Sequence, residues 1–103
     1  PILDFQNENN FENGKNNYNQ NPEIKLISII VGFYYNRYNA EQDLPSILLS
    51  DKSLTENVKA EIVKDVYMQK QGFRINISPL SIKIAERACE KIKASGELCE
   101  ISD

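Results

Sequence analysis

Residues 22–39, PEIKLISIIVGFYYNRYN, are the longest apolar run in the chain, and their reading decides the rest. Two assignments compete. The crowd of Ile and Val favours a strand. The polar or small positions Lys25, Ser28, Gly32, Asn36 and Asn39 instead recur at spacings of 3, 4, 4 and 3, which trace one stripe down a helix. Ile29-Ile30-Val31 breaks the alternation that a half-buried strand needs. Asn21 suits an N-cap, Pro22 the first helical position and Glu23 the positive end of the helix dipole. The pattern therefore predicts a central helix about 27 Å long. It is apolar over most of its circumference and expected to be enclosed by its neighbours. Glu23, Lys25, Asn36 and Arg37 leave too short an uncharged run to cross a bilayer, so no membrane span is expected.

Upstream, residues 1–21 are a different material. Asn dominates, no period is visible, and too little apolar surface is present to offset ordering entropy. The stretch reads as an irregular, Asn-rich, low-complexity arm or linker, 1–21, ahead of a compact helical domain, 22–103. Apolar residues dotted along the arm make it a candidate docking device. Phe5, Phe11 and Tyr18 are its candidate partner-binding residues. Tyr34 and Tyr38 of the central run join them, because tyrosine combines an apolar body with a polar tip.

Downstream, Ala40–Asp43 reads as a turn, and Leu44, Ile47, Leu48 and Leu49 around Pro45 as a short second helix with Pro45 at its first position. Ser53-Leu54-Thr55-Glu56 fits a capping box. Val58, Ile62, Val63, Val66 and Tyr67 then predict a third helix running to Gln71, with Gly72 as its left-handed stop. Phe73–Ile77 alternates and predicts a strand. Ser78-Pro79 opens a fourth helix with the buried stripe Ile82, Ala85, Cys89 and Ile92, ended by Ser95-Gly96. The tail from Leu98 to Ile101 could pair with 73–77. The fold expected is mainly α: a small four-helix domain with at most a short two-stranded β element, 73–77 with 98–101.

Composition narrows function by exclusion. Histidine is absent, which removes the commonest general base and transition-metal ligand. Cys89 and Cys99 are too few for a zinc site. They read as reduced thiols, with a single disulfide from the tail to the fourth helix as the alternative. The N-terminal stretch lacks the basic n-region of a secretory signal, and the expected setting is cytoplasmic. No phosphate loop, dinucleotide fingerprint or calcium loop is present, so no catalytic, cofactor-binding or metal-ligating residues are assigned and no enzyme is expected.

The net charge of −3 is unevenly spread. Residues 64–93 carry +4 and residues 94–103 carry −3. Lys70, Arg74, Lys83, Arg87 and Lys91 are candidate phosphate contacts if they share a face. The stretch GFRINISPLSIKIAERACEKIKASGE, residues 72–97, resembles the opening of a ribbon-helix-helix DNA-binding domain. On that resemblance Arg74 and Asn76 would face the major groove. The second helix of that fold has no counterpart here. The function expected is that of a non-enzymatic protein-interaction or regulatory domain, a subunit or module of a larger assembly. Its partner would be another protein or a second copy. The alternative is an accessory nucleic-acid-binding subunit using 64–93.

Overall fold

The computed structural model describes residues 25–103. The arm, with Phe5, Phe11 and Tyr18, lies outside the described residues. The chain runs β1 (Leu26–Tyr34), α1 (Arg37–Leu49), a 3-10 turn (Lys52–Thr55), β2 (Lys59–Tyr67), β3 (Lys70–Ser81), α2 (Ile82–Ala94) and β4 (Cys99–Ser102). The four strands form one antiparallel sheet in the order β2-β3-β1-β4. β1 and β2 are joined by a helix yet separated by β3. This is the split β-α-β arrangement of ferredoxin-like topology. The expected four-helix domain is therefore replaced by a helical layer on a sheet.

The decisive stretch is a strand, not a helix. β1 is hydrogen-bonded on both edges, to β3 and β4. Ile27, Ile29 and Val31 face the helices and are buried. The alternation is masked because Ile30, on the face away from the helices, is also apolar and is half-buried between its strand neighbours Asn76 and Glu100. Irregularities between Ile27 and Ile29 and between Val31 and Tyr34 disturb the period further. Gly32 sits in the second, with φ +70° and its N–H bonded to the Leu98 carbonyl at 2.9 Å. A side chain there would collide with the Tyr34 ring.

The predicted third helix is also a strand. Val58, Ile62 and Val66 are four residues apart, and four is a multiple of two as well as close to a helical turn. Strand geometry puts them on one face equally well. β2 and β3 form a hairpin in continuous register from Lys59–Ser78 to Tyr67–Lys70. Gly72 is an inner residue of β3 rather than a helix stop. A Cβ there would lie 2.5 Å from the Tyr34 carbonyl oxygen and 2.6 Å from Phe33 Cζ. The predicted strand at 73–77 exists within the longer β3. The tail is a strand too, but its partner is β1, not 73–77.

Two helices remain. α1 starts at Arg37, where the Asn36 side chain accepts from the Asn39 N–H at 2.8 Å. It runs through Pro45 instead of starting there. α2 starts after Ser81, whose hydroxyl accepts from the Ile84 N–H at 3.3 Å. It ends as expected: Gly96 has φ +98°, and the Glu97 N–H reaches back to the Ile92 carbonyl at 3.2 Å. Ala85, Ala88, Cys89 and Ile92 of α2, with Ala40 and Ile47 of α1, close over Ile29, Val31, Ile75 and Ile77 of the sheet. Ile82, assigned to the buried stripe, is exposed. No helix among the described residues is long and apolar enough to cross a membrane.

The cysteines are bonded. Cys89 of α2 and Cys99 of β4 have Cα atoms 5.4 Å apart, well within reach of a disulfide. This corrects the expectation of reduced thiols.

Candidate functional site

Both helices cover one face of the sheet. The other face carries Ser28 and Ile30 of β1, Glu61, Val63, Asp65 and Tyr67 of β2, Arg74 and Asn76 of β3, and Glu100 of β4. Period-two alternation about the core residues places them there. Toward the β2–β3 turn this face becomes aromatic. The Phe33 ring lies 5.4 Å from Tyr35, edge to face, and 5.7 Å from Tyr67. Gly72 makes room for it, since any side chain at that position would occupy the Phe33 ring. The Arg74 guanidinium stacks 4.8 Å over the Tyr67 ring, extending the row as a cation–π contact.

Arg74 is only 2% exposed. Its Nε donates to the Gly32 carbonyl at 2.7 Å, and its Nη1 stands 3.3 Å from the Glu100 carboxylate. Nη2 has no hydrogen-bond partner among the described residues. The alternation of FRINI correctly separated Arg74 from the core face. The side chain nevertheless lies flat along the sheet and bridges β3, β1 and β4.

At the end of the sheet, Tyr35, Lys64, Asp65, Val66, Gln71, Gly72 and Phe73 line an open depression of about 570 Å³. Around it stand apolar side chains that nothing described covers: Tyr35 is 68% exposed, Val66 57% and Met68, in the adjoining turn, 75%. The turn has two residues, Met68 and Gln69, at φ 53° and 66°. A two-residue hairpin needs left-handed backbone at both positions and normally takes Asn-Gly or a relative of it. Residues with side chains occupy that region at a cost of about 1 kcal/mol each.

Two polar clusters brace the opposite parts of the molecule. Asp51, 4% exposed, accepts from Arg87 Nε at 2.8 Å and Nη2 at 3.1 Å, from the Ser53 N–H at 3.0 Å, and lies 3.4 Å from Lys91 Nζ. The Arg87 hydrogen bonds hold its carboxyl well below the usual carboxylate range, against the opposing effect of burial. Elsewhere the Tyr34 hydroxyl donates to Asp43 at 2.8 Å. Burial, and then that bond to a carboxylate, push the hydroxyl above its ordinary range. Burial, and then Asp43 beside it, raise the Glu97 carboxyl as well. This trio ties β1, α1 and the α2–β4 loop together.

The residues singled out from the sequence are dispersed. Tyr34 is half-buried, with its hydroxyl engaged by Asp43, whereas Tyr38 is exposed on the first turn of α1. Of the basic set, Lys70 adjoins the hairpin turn, and Arg74 is buried on the open face. Lys83, Arg87 and Lys91 form a stripe on α2, in the other layer, with Arg87 and Lys91 bound to Asp51. The five do not share a face. Sequence reasoning missed Phe33, Tyr35, Tyr67 and Met68 as neighbours. The hairpin that joins them has no Gly or Asn in its turn to announce it. Among the described residues, no group of three or more Cys, Asp or Glu is placed to hold a metal ion. No protein-family model, curated protein or solved structure matches the chain.

Proposed function

We propose that this chain is a non-enzymatic protein-interaction module that docks a partner through the hairpin end of its sheet. The observation that carries this reading is the uncovered set Tyr35, Val66 and Met68 around an open depression. Burying an apolar side chain of this size is worth about 1.5–3 kcal/mol. Docking would recover what solvent exposure forfeits. Tyr and Met are also common anchors of protein interfaces. The row of Phe33 and Tyr67 behind them supplies a stiff backing.

The thiols bear on the compartment. A cytoplasmic setting was expected with reduced cysteines. The bonded Cys89–Cys99 pair instead supports an oxidising compartment. Nucleic-acid binding is the weaker reading, because its basic residues divide between two layers and two of them neutralise Asp51.

A photo-reactive residue placed at Met68 in the full chain tests the proposal in native extract. A single discrete adduct is expected at Met68, none at the exposed control position Ile82, and loss of the adduct on Tyr35→Ser. Equal adducts at both positions, or an adduct indifferent to Tyr35→Ser, would overturn the reading.

A further inference from the structure

β2 is a nine-residue edge strand, and nothing among the described residues pairs with its outer side. Tyr67 and Lys70 close the two-residue hairpin as a hydrogen-bonded pair. Odd-numbered residues of β2 therefore turn their amides to β3, and Ala60, Ile62, Lys64 and Val66 turn theirs outward. The contacts agree. The Ile62 carbonyl accepts from exposed Arg37 at 3.4 Å, and the Val66 N–H donates to Asp65 at 2.7 Å. Single, solvent-exposed side-chain contacts of this kind are readily exchanged for a strand ladder.

An antiparallel second copy, related by a two-fold axis perpendicular to the sheet, must centre on one residue of β2. Centred on Glu61, that carboxylate would oppose itself; centred on Lys64, that ammonium would. Centred on Val63, Glu61 would oppose Asp65 twice. Centred on Ile62, no like charges are directly opposite. Lys59 then meets the second copy's Asp65 at both ends on the open face, while Ile62 meets its own counterpart and Val58 meets Val66 on the helix side. Opposite charges and apolar pairs in these positions are the stabilising units of a sheet. The nearest like pairs are diagonal at about 7–8 Å, Glu61 with its counterpart and Glu61 with the second copy's Asp65; Lys59 offsets them, standing 3.0 Å from Glu61 within its own strand and opposite Asp65 across the seam.

We propose that a second copy of this chain pairs with the β2 edge in the register centred on Ile62, joining two four-stranded sheets into one. This deepens the interaction-module reading, on which it rests for the surface class, by naming the occupant of an adjoining surface. Asp65 and Val66 border both surfaces, but Tyr35 and Met68 belong to the hairpin end alone and Lys59 and Ile62 to the edge alone, so variants at those four positions make the two fail separately.

Sedimentation of the full chain over a concentration series tests it. A reversible dimer is expected. Lys59→Glu and Asp65→Lys should each weaken it about tenfold or more, and the two together should restore it. Arg37→Ala, which uncovers the Ile62 carbonyl, should strengthen it. Under mild oxidation Ile62→Cys should cross-link to itself and Val63→Cys should not. Tyr35→Ser should leave the dimer unchanged. A chain monomeric at every concentration overturns the proposal. So does a dimer that ignores both charge reversals, or cross-linking through Val63→Cys but not Ile62→Cys.

Discussion

The corner where α2 meets β4 and the end where β2 turns into β3 are built on opposite terms. At the corner, a disulfide and a left-handed glycine cap hold α2 to β4, and on the other flank of α2 the Asp51–Arg87–Lys91 cluster ties it to the 3-10 turn. At the hairpin end, Val66 and Met68 face solvent and two residues with side chains occupy left-handed backbone. The contrast teaches that this small domain concentrates its fastening on one side and leaves the other exposed and strained. Backbone strain of this kind clusters at functional surfaces, which agrees with the docking role proposed for the hairpin end.

The largest test of that contrast is to remove the staple. Cys89→Ser with Cys99→Ser should cost about 2.5 kcal/mol, since the closed loop is short. Denaturant unfolding with and without reductant measures it. Equal stability of the two forms would show that the corner is no better fastened than the hairpin.

Asp51→Ala comes next, at about 2 kcal/mol, because it strips hydrogen bonds to charged groups from Arg87 and Lys91. Its pH dependence has a definite sign. The folded carboxyl is held below its unfolded value of about 3.9, so its contribution is complete above that value. It is lost as pH falls through the folded one. The stability difference between wild type and Asp51→Asn should be constant near neutrality and shrink progressively below about pH 4.

A gain is expected at the other end. Gln69→Gly should stabilise by about 1 kcal/mol, because the left-handed position no longer opposes a side chain. Thermal melting checks it, and an unchanged or lower midpoint would mean the turn is not strained. Smallest is Glu97→Gln. Burial and Asp43 raise the Glu97 carboxyl, so its charged form penalises the fold above the raised value. The variant should melt higher than wild type at pH 7. That advantage should vanish toward pH 3, where the carboxyl is protonated in both states.

The same contrast separates what was legible in the sequence from what was not. The α2 end spoke locally: Ala85, Cys89 and Ile92 recur at helical spacing, and Ser95-Gly96 states the stop. The alternation of Phe73–Ile77 was equally plain. β1 was illegible because its neighbours are supplied by distant chain. Sandwiched between β3 and β4, it carries apolar residues on both faces, and its irregular register at Gly32 mimics a helical stripe. β2 was misread because Val58, Ile62 and Val66 satisfy both periods, so only pairing with β3 decides. Pro45 hid α1 by suggesting a start where the helix in fact continues. For the candidate site, Tyr34 and Tyr38 came from composition alone. The Phe33–Tyr67 row depends on a cross-strand register that no local pattern announces.

The interleaved strand order carries a consequence for biogenesis. β1 finds its hydrogen-bonding neighbours roughly 50 and 70 residues further along the chain. During synthesis the most water-averse segment must therefore wait, unsheltered, until residue 102 has emerged, while the β2–β3 ribbon can zip as soon as residue 78 is out. Late arrival of β4 leaves a period in which that segment is open to sticking to other nascent chains. The four-residue β4 thus has an importance during maturation out of proportion to its length.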